Sequence, residues 1–491
     1  MDATKEQIER LIKETSATIG VLYSTIQEDL SILEACDEEV SPLLKLTREL
    51  RMNTSYVLVD LHSAMHSLFT SEKPIEKRFH LMFTSADMLE CYKLLYNFGK
   101  KRKYTVWSKI GKVVRGVYEE RKNAHSELLL KLYEAVTTML QAIGDTQEKD
   151  SRDLTYHYDD DLLNVYRCIL KFDSEEKLME RVIKFIDVTR SMLFFCDVAE
   201  SIEILKGHSL PVANIKNKPN FPFQKLIAEK IDGEGKLRSV LEAIIDKTQA
   251  VDRAARMKEG MERAQRFLQD KWPERNIPEL DNMEAMANTH LLLQIALADI
   301  VTATLAYLNA GSEPEYPLVL RRLTITRVST LSHIYGYHEG EREKSLWHAI
   351  TKMMPDTNNV LSEELKEIEE QIKGLIHEKD IDDRLLFVHL FDNQTKNSNV
   401  PLIVRKIEDM NPFAEFEKAN ALIGVMSRLQ TFLKDLMDEL GKNAHEQAER
   451  SKAELKAKVQ AMRDLINKSG CKEFNEQFDK FEGLIDSIYG E

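Results

Sequence analysis

Apolar residues recur at helical spacing along almost the whole 491-residue chain, and this pattern constrains the fold more than any other feature. The segments 128–143 and 178–195 show it clearly, whereas the alternating pattern of half-buried strands is absent from the sequence. Only 18 glycines and 12 prolines interrupt the chain. The sequence therefore predicts an all-α protein that is long enough to bury more than one core.

Composition excludes several classes of protein. With 43% hydrophobic and 31% charged residues, the chain has the composition of an ordered globular protein. Its net charge of -14 argues against a surface that coats nucleic acid or an anionic membrane, and leaves room only for a local basic patch. Residues 290–310 come closest to a membrane span, but Gln294 and Asp299 interrupt them. We predict a buried core helix there and no membrane association.

The five cysteines are widely spaced and form no Cys-x-x-Cys pair, so neither a disulfide framework nor a zinc site is indicated. The first residues, MDATKEQIERLIKE, are charged where a signal peptide would be apolar. We expect a reduced, cytoplasmic protein, and the sequence indicates no metal and no cofactor.

Two proline-containing breaks, at 208–223 and 272–282, divide the chain. A long, charged, amphipathic segment lies between them and is typical of a connecting helix. The predicted organisation is an N-terminal helical bundle over 1–207, a linker with a long helix over 208–280, and a C-terminal helical bundle over 281–491.

The two halves show weak internal similarity. Asn53 opens an apolar helix and corresponds to Asn288, which opens another. At nearly the same shift along the chain, Arg167 corresponds to Arg405. Because the shift between corresponding residues changes so little along each half, we interpret the chain as a diverged tandem duplication.

An arginine and a histidine recur at equivalent points of this repeat. The first motif, RDLTYHYDDD, contains Arg152 and His157, and a similar shift places them on Arg384 and His389 in RLLFVH. One such pair is a weak signal, but two at corresponding positions are much less expected by chance. We interpret the aspartates at 159–161 as the N-cap of a following helix rather than as a magnesium site.

These motifs resemble that of the HEPN superfamily, all-α bundles in which an arginine precedes a histidine by a few residues. The resemblance covers roughly residues 45–200 and, more faintly, 283–438. It implies two HEPN-like bundles joined by a long-helix linker region, and a metal-independent ribonuclease, often a toxin of a toxin–antitoxin or antiphage system. It also implies that two domains pair so that both motifs line one cleft. Other members are inactive and serve as binding or dimerisation modules.

Cleavage of RNA by its own 2'-hydroxyl requires a base, an acid, and positive charge on the phosphate. Histidine supplies both protonation states near neutrality, and arginine binds phosphate oxygens while staying charged. The resemblance implies that Arg152 binds the phosphate, that His157 transfers the proton, and that Asp153 orients these two side chains. It also implies that the products have 2',3'-cyclic phosphate ends. Arg384 and His389 would complete the cleft or stabilise an interface. Their apolar neighbours leave open that His389 is a core histidine.

The segment 99–116 contains seven basic residues and no acidic residue. Cations interleaved with aromatic rings suit single-stranded RNA, because cations follow the backbone and rings stack on bases. The predicted RNA-binding residues are Lys100, Lys101, Arg102, Lys103, Tyr104 and Trp107. The alternative is a solvated helix start with a buried Trp107.

The resemblance therefore implies an RNA endonuclease that forms an intramolecular pseudo-dimer or a homodimer, with an antitoxin or regulatory protein as a further partner. The alternative is a non-catalytic interaction or regulatory module. Its long helices, 225–271 and 412–468, would then bind a protein partner.

Overall fold

The computed structural model describes residues 5–36, 40–144, 166, 175–211, 235–246, 249–271, 278–310, 312–354, 359–392, 394–468 and 475–489. Within these ranges the chain is helical apart from turns and one two-stranded hairpin. The all-α prediction is confirmed.

The helices of the first half and the connecting region are α1 Lys5–Ala35, α2 Pro42–Thr70, α3 Pro74–Leu95, a 3-10 helix Gly99–Tyr104, α4 Val106–Arg121, α5 Ala124–Gly144, α6 Glu175–Leu205, α7 Lys236–Asp246 and α8 Gln249–Lys271. The second half contains α9 Pro278–Leu308, a 3-10 helix Glu313–Glu315, α10 Tyr316–Ile334, α11 Glu339–Arg342, α12 Leu346–Met353, α13 Asn359–Gly374, α14 Glu378–Val388, strands β1 Phe391–Asp392 and β2 Asn397–Ser398, α15 Val400–Asp409, α16 Pro412–Lys468 and α17 Asn475–Tyr489.

Several prolines begin helices rather than loops. Pro42, Pro74, Pro317 and Pro401 lie in the first turns of α2, α3, α10 and α15. Proline suits this position because its ring fixes a helical φ angle and the first N–H groups of a helix have no intrahelical acceptor. These four prolines therefore mark helix starts.

Helix α2 lies at the centre of the first core. Every residue from 52 to 68 is buried, and the helix packs against α1, α3 and α6. Helix α9 packs against α8 and α10 in the same way. A helix that is buried on all sides also buries its polar residues, so these residues need partners inside the protein.

Buried ion pairs join α10 to α2 and α3. Arg321 is fully buried, and its Nη1 donates to Asp60 Oδ2 at 2.7 Å while its Nε donates to the Phe387 carbonyl at 2.9 Å. The neighbouring Arg322 donates to the Asp60 carbonyl at 2.7 Å. Asp87 of α3 lies 3.8 Å from Arg321 and 3.5 Å from Arg322. Helices from both halves of the sequence therefore share one buried polar cluster.

A second cluster connects α10, α14 and α16. Arg327 donates to Asp380 at 2.7 Å and to Glu415 at 2.8 Å, and Lys418 contacts the same two carboxylates. Burial alone would raise the pKa of Asp380, but Arg327 and Lys418 hold that pKa below its ordinary value. The carboxyl group of Asp380 therefore stays charged inside the protein.

The chain forms two compact units. One consists of Met1–Ile350 with Gln371–Met426, and the other of Thr351–Glu370 with Ser427–Glu491. The first unit contains helices of both predicted bundles, because the buried ion pairs link α2 and α3 to α10. The predicted organisation into bundles over 1–207 and 281–491 stays a prediction.

The helix bounds recur along the chain at a nearly constant spacing. Helix α3 ends at Leu95, and α10 ends at Ile334. Helix α4 begins at Val106, and α12 begins at Leu346. The sequence separation between these two helix starts is almost the same as that between the ends of α3 and α10. This agreement is consistent with the tandem duplication, which stays a prediction.

One segment of the described chain, Glu284–Leu308 of α9, is long and apolar enough to cross a membrane. Of its apolar window, 83% is buried inside the protein. This burial agrees with the predicted core helix, because a core helix buries its apolar side chains against other helices.

Candidate functional site

The first predicted motif cannot be placed. Arg152, Asp153 and His157 lie outside the described residues. Their assignment therefore stays a prediction.

The second predicted motif lies at the end of α14, and its two side chains contact different helices. Arg384 Nε donates to Ser329 Oγ of α10 at 2.8 Å. His389 has non-helical dihedral angles and ends α14, and its Nδ1 lies 3.8 Å from Glu90 Oε2 of α3. Arg384 thus anchors α14 to α10, whereas the imidazole of His389 is 39% exposed and accessible to solvent.

Glu90 is a buried carboxylate beside this imidazole. Burial alone would raise its pKa, but His389 and Lys93 together hold the pKa of Glu90 below its ordinary value. Lys93 Nζ lies 2.7 Å from Glu90 Oε1. A carboxylate next to a histidine fixes the orientation of the ring in many proton-transfer sites. Sequence reasoning missed this partner, since no spacing connects residues 90 and 389.

A short hairpin follows His389. Strands β1 and β2 pair antiparallel, with Phe391 opposite Ser398. In the turn, Asp392 accepts hydrogen bonds from the Thr395 hydroxyl at 2.6 Å and the Gln394 N–H at 2.7 Å, which lower the pKa of Asp392. Lys396 adopts a left-handed φ of 62°, as tight turns often require. The hairpin contains the stretch QTKNSN, which the predicted duplication leaves without a counterpart in the first half of the chain.

Two hydrogen bonds fix this hairpin to its surroundings. Ser398 Oγ donates to Asn53 Oδ1 of α2 at 2.8 Å, and Asn53 is buried. Asn399 Nδ2 donates to the His389 carbonyl at 2.7 Å. The hairpin, the second motif and α2 therefore form one connected structure.

The predicted RNA-binding segment forms the 3-10 helix Gly99–Tyr104. Its side chains at Lys100, Lys101 and Lys103 are exposed, and the Arg102 guanidinium lies 4.0 Å from the centre of the Tyr96 ring. The exposed lysines remain available to a polyanion.

Tyr104 is the point at which this segment meets the hairpin. Lys103 Nζ lies 4.9 Å and Lys396 Nζ 4.6 Å from the centre of the Tyr104 ring. The neighbouring Lys103, and with it Lys396, lower the pKa of Tyr104. We call Lys100, Lys101, Lys103, Tyr104 and Lys396 the basic surface.

Trp107 does not belong to this surface. Its side chain is fully buried, its Nε1 donates to Thr137 Oγ1 at 3.0 Å, and its ring stacks on Tyr133 with centroids 4.7 Å apart. Trp107 lies on the apolar face of α4, and this face packs against the core. Trp107 is therefore not available to stack on RNA, and RNA binding by the other residues of the segment stays a prediction.

Acidic side chains at the edge of the basic surface have their own partners. Glu49 lines a shallow depression together with Tyr104, Lys109 and Lys396. Burial raises the pKa of Glu49, and Lys109 and Lys45 oppose this rise. Glu49 therefore interacts mainly with lysines outside the basic surface.

Among the described residues, Cys36, Cys91 and Cys196 form no disulfide. Burial raises the pKa of the Cys91 and Cys196 thiols, which favours the protonated form. Among the described residues no group of three or more histidine, cysteine, aspartate or glutamate side chains is arranged to hold a metal ion.

Comparison with known proteins found no matching family model, no matching curated protein and no matching solved structure.

Proposed function

We propose that the protein is a metal-independent RNA endonuclease of the HEPN type that leaves 2',3'-cyclic phosphate and 5'-hydroxyl ends. The observation that supports this proposal is the basic surface, where Lys103 and Tyr104 of the first half meet Lys396 of the second half. Lys396 follows His389 closely in the chain. A protein with a net charge of -14 needs such a local patch to bind a phosphate backbone.

In the proposed reaction the RNA supplies its own nucleophile, the 2'-hydroxyl. His157 takes the proton of the 2'-hydroxyl, whose oxygen attacks the phosphorus, while Arg152 stabilises the charge that develops on the phosphate and Asp153 orients these two side chains. The bond from phosphorus to the 5'-oxygen breaks, and a general acid protonates that oxygen to give the 5'-hydroxyl end. His389, with Glu90 beside it, is the second histidine available for proton transfer. Arg384 serves as a positioning residue, because it holds α14 against Ser329.

The proposed biological setting is the one that the resemblance to the HEPN superfamily implies. We propose that the enzyme acts in the cytoplasm as a toxin or antiphage effector, and that a protein partner restrains it. A homodimer or an intramolecular pairing of the two halves would bring two motifs to one cleft.

The direct test is incubation of the purified full chain with labelled single-stranded RNA in EDTA. We expect His157→Ala to lower the cleavage rate by about 10²- to 10⁴-fold, as loss of a general acid or base does. Arg152→Ala should cause a comparable loss, and single-stranded DNA of the same sequence should stay intact because it lacks the 2'-hydroxyl. His377→Ala removes an exposed histidine at the start of α14 and should leave the rate unchanged. Unaltered cleavage in both motif variants would refute the proposal.

The second candidate is a non-catalytic interaction or regulatory module. It is favoured by the contacts of the second motif, since Arg384 binds Ser329 and His389 lies beside Glu90 within the protein. On this alternative, Arg384→Ala lowers the melting temperature and no variant changes RNA integrity. A wild-type chain that cleaves no RNA in EDTA would favour it.

A further inference from the structure

Two lysines from distant parts of the sequence converge on one tyrosine ring. The Nζ atoms of Lys103 and Lys396 lie 4.9 Å and 4.6 Å from the centre of the Tyr104 ring. Two ammonium groups beside one ring can both donate charge-assisted hydrogen bonds to an anion that binds near the Tyr104 hydroxyl. The convergence therefore indicates a ligand with negative charge.

Two acidic side chains in the described part of this region interact with other groups. Asp392, in the same turn as Lys396, accepts hydrogen bonds from Thr395 and from the Gln394 N–H. Glu49, at the edge of the depression, interacts with Lys109 and Lys45. Both carboxylates thus have interactions of their own.

The backbone fixes the positions of both lysines. Lys396 lies in the tight turn of the hairpin, which Ser398 attaches to Asn53 of α2. Lys103 lies in the 3-10 helix, which ends where the Thr105 N–H donates to the Arg102 carbonyl at 3.1 Å. Sites in which backbone structure holds the cations lose less conformational entropy on binding than sites on mobile loops.

We propose that Lys103, Lys396 and the Tyr104 hydroxyl together bind one phosphate of a single-stranded RNA. The three groups supply two ammonium donors and one hydroxyl donor to the phosphate oxygens. Lys100 and Lys101, on the same 3-10 helix, extend the positive charge along the strand. The choice of RNA as ligand rests on the proposed function, whereas the phosphate site itself rests on the geometry of the lysines.

The test separates binding from cleavage by using a fluorescent single-stranded RNA with 2'-O-methyl groups throughout, which cannot attack its own phosphates. Anisotropy gives the Kd of the full chain in EDTA at several salt concentrations. We expect Lys103→Gln and Lys396→Gln each to weaken binding about tenfold, and Tyr104→Phe to weaken it less. Lys344→Gln, which changes an exposed lysine of the second half, is the matched control and should leave the Kd unchanged.

The double variant tests whether both lysines hold the same phosphate. If both lysines are needed to neutralise one shared phosphate, the magnitude of the slope of log K against log salt concentration decreases by about 0.7 in each single variant. It decreases no further in the double variant, because the same phosphate contact has already been lost. Their effects on affinity are then less than additive. Two independent losses of about 0.7 each would overturn the shared site.

The remaining outcomes separate the two proposals. Lysine-dependent binding without cleavage of unmodified RNA would support the phosphate site and refute the nuclease. Cleavage with an unchanged Kd in Lys396→Gln would refute the phosphate site alone. Equal dependence on the two lysines for single-stranded DNA would show a phosphate site that does not select RNA, and would overturn the assigned ligand class. Melting temperatures of all variants confirm that each one folds.

Discussion

Arg321 shows how single residues hold this fold together. Its side chain is fully buried and donates both to a carboxylate of α2 and to a carbonyl at the end of α14. Removing one partner of a buried ion pair leaves the other charge buried without compensation, which is strongly destabilising. Replacing the whole pair by apolar residues of similar size is often neutral, so the cost comes from the unpaired charge. Asp60 and Asp87 both depend on Arg321 and Arg322 for this compensation.

We therefore expect Arg321→Met to lower the free energy of unfolding by about 3 to 5 kcal/mol. The measurement is the midpoint of urea unfolding, followed by circular dichroism. Arg266→Met is the control, because Arg266 is 72% exposed and pairs with Glu262 on the same helix at 3.2 Å. It should cost less than about 1 kcal/mol. Similar midpoints for the two variants would contradict the role of the buried pair.

At the same scale, the burial of His62 predicts that the stability of the protein depends on pH. Burial, and less strongly Arg190, lower the pKa of His62 to about 4. In the unfolded chain this pKa is about 6.5, so the unfolded state binds the proton first as the pH falls. The stability contributed by neutral His62 is complete above about pH 6.5 and is lost as the pH falls towards 4.

Replacing His62 by leucine removes this proton-linked loss. Between about pH 7.5 and pH 5, the stability of the wild type relative to His62→Leu should fall by about 2 kcal/mol. Urea unfolding at the two pH values measures the difference. His377→Leu, at an exposed histidine, should show no such change. A pH-independent difference between wild type and His62→Leu would show that His62 can be protonated within the fold.

At the scale of the element, helix α4 contains two glycines with opposite surroundings. A Cβ at Gly111 would lie 2.2 Å from the Tyr133 ring, whereas a Cβ at Gly116 would meet nothing within 4 Å. Tyr133 cannot move away easily, because it is buried and stacked on Trp107. Gly111 is therefore required for close packing of α4 on α5, and Gly116 is not.

This contrast predicts that two identical substitutions in one helix have opposite effects. Gly116→Ala should stabilise the protein by about 0.5 to 1 kcal/mol through helix propensity. Gly111→Ala gains the same propensity but overpacks the core, so we expect a net loss of about 1 to 3 kcal/mol. Thermal unfolding of the two variants measures both effects. A gain at both positions would mean that Tyr133 can move aside.

The helices themselves could be predicted from the sequence, because apolar spacing and helix-starting prolines are local signals. The hairpin could not, since QTKNSN carries no strand pattern and its structure depends on the contact of Ser398 with Asn53. The basic segment was predicted, but its meeting with Lys396 was not. Contacts between residues far apart in the chain leave no periodicity in the sequence.

At the scale of the whole molecule, the second compact unit includes most of the long helix α16. Four apolar residues near its start in this unit are buried, namely Leu429, Phe432, Leu433 and Leu436. Farther along, Leu455, Met462 and Leu465 are exposed. The buried residues contribute hydrophobic stabilisation that the exposed ones do not.

Two truncations should therefore behave differently. A chain that ends at Asp438 keeps the four buried residues and loses Phe478 and Ile485 of α17, which are 8% and 7% exposed, so we expect its melting temperature to fall by less than about 8 °C. A chain that ends at Met426 loses them, and we expect a fall of more than about 10 °C or aggregation, because each buried leucine or phenylalanine contributes about 2 to 5 kcal/mol. Scanning fluorimetry and size-exclusion chromatography measure both outcomes. Equal melting temperatures would contradict the assigned role of these residues.

The ion pairs between α2, α3 and α10 also bear on how the protein is made. The ribosome synthesises Asp60 and Asp87 long before Arg321 and Arg322, so a nascent chain that ends before α10 lacks the arginines that neutralise these carboxylates. Its amino-terminal helices can collapse, but burying these charges is costly at that stage. We therefore expect the first core to close only after α10 has been synthesised, so that premature termination before α10 leaves a chain with an incomplete core.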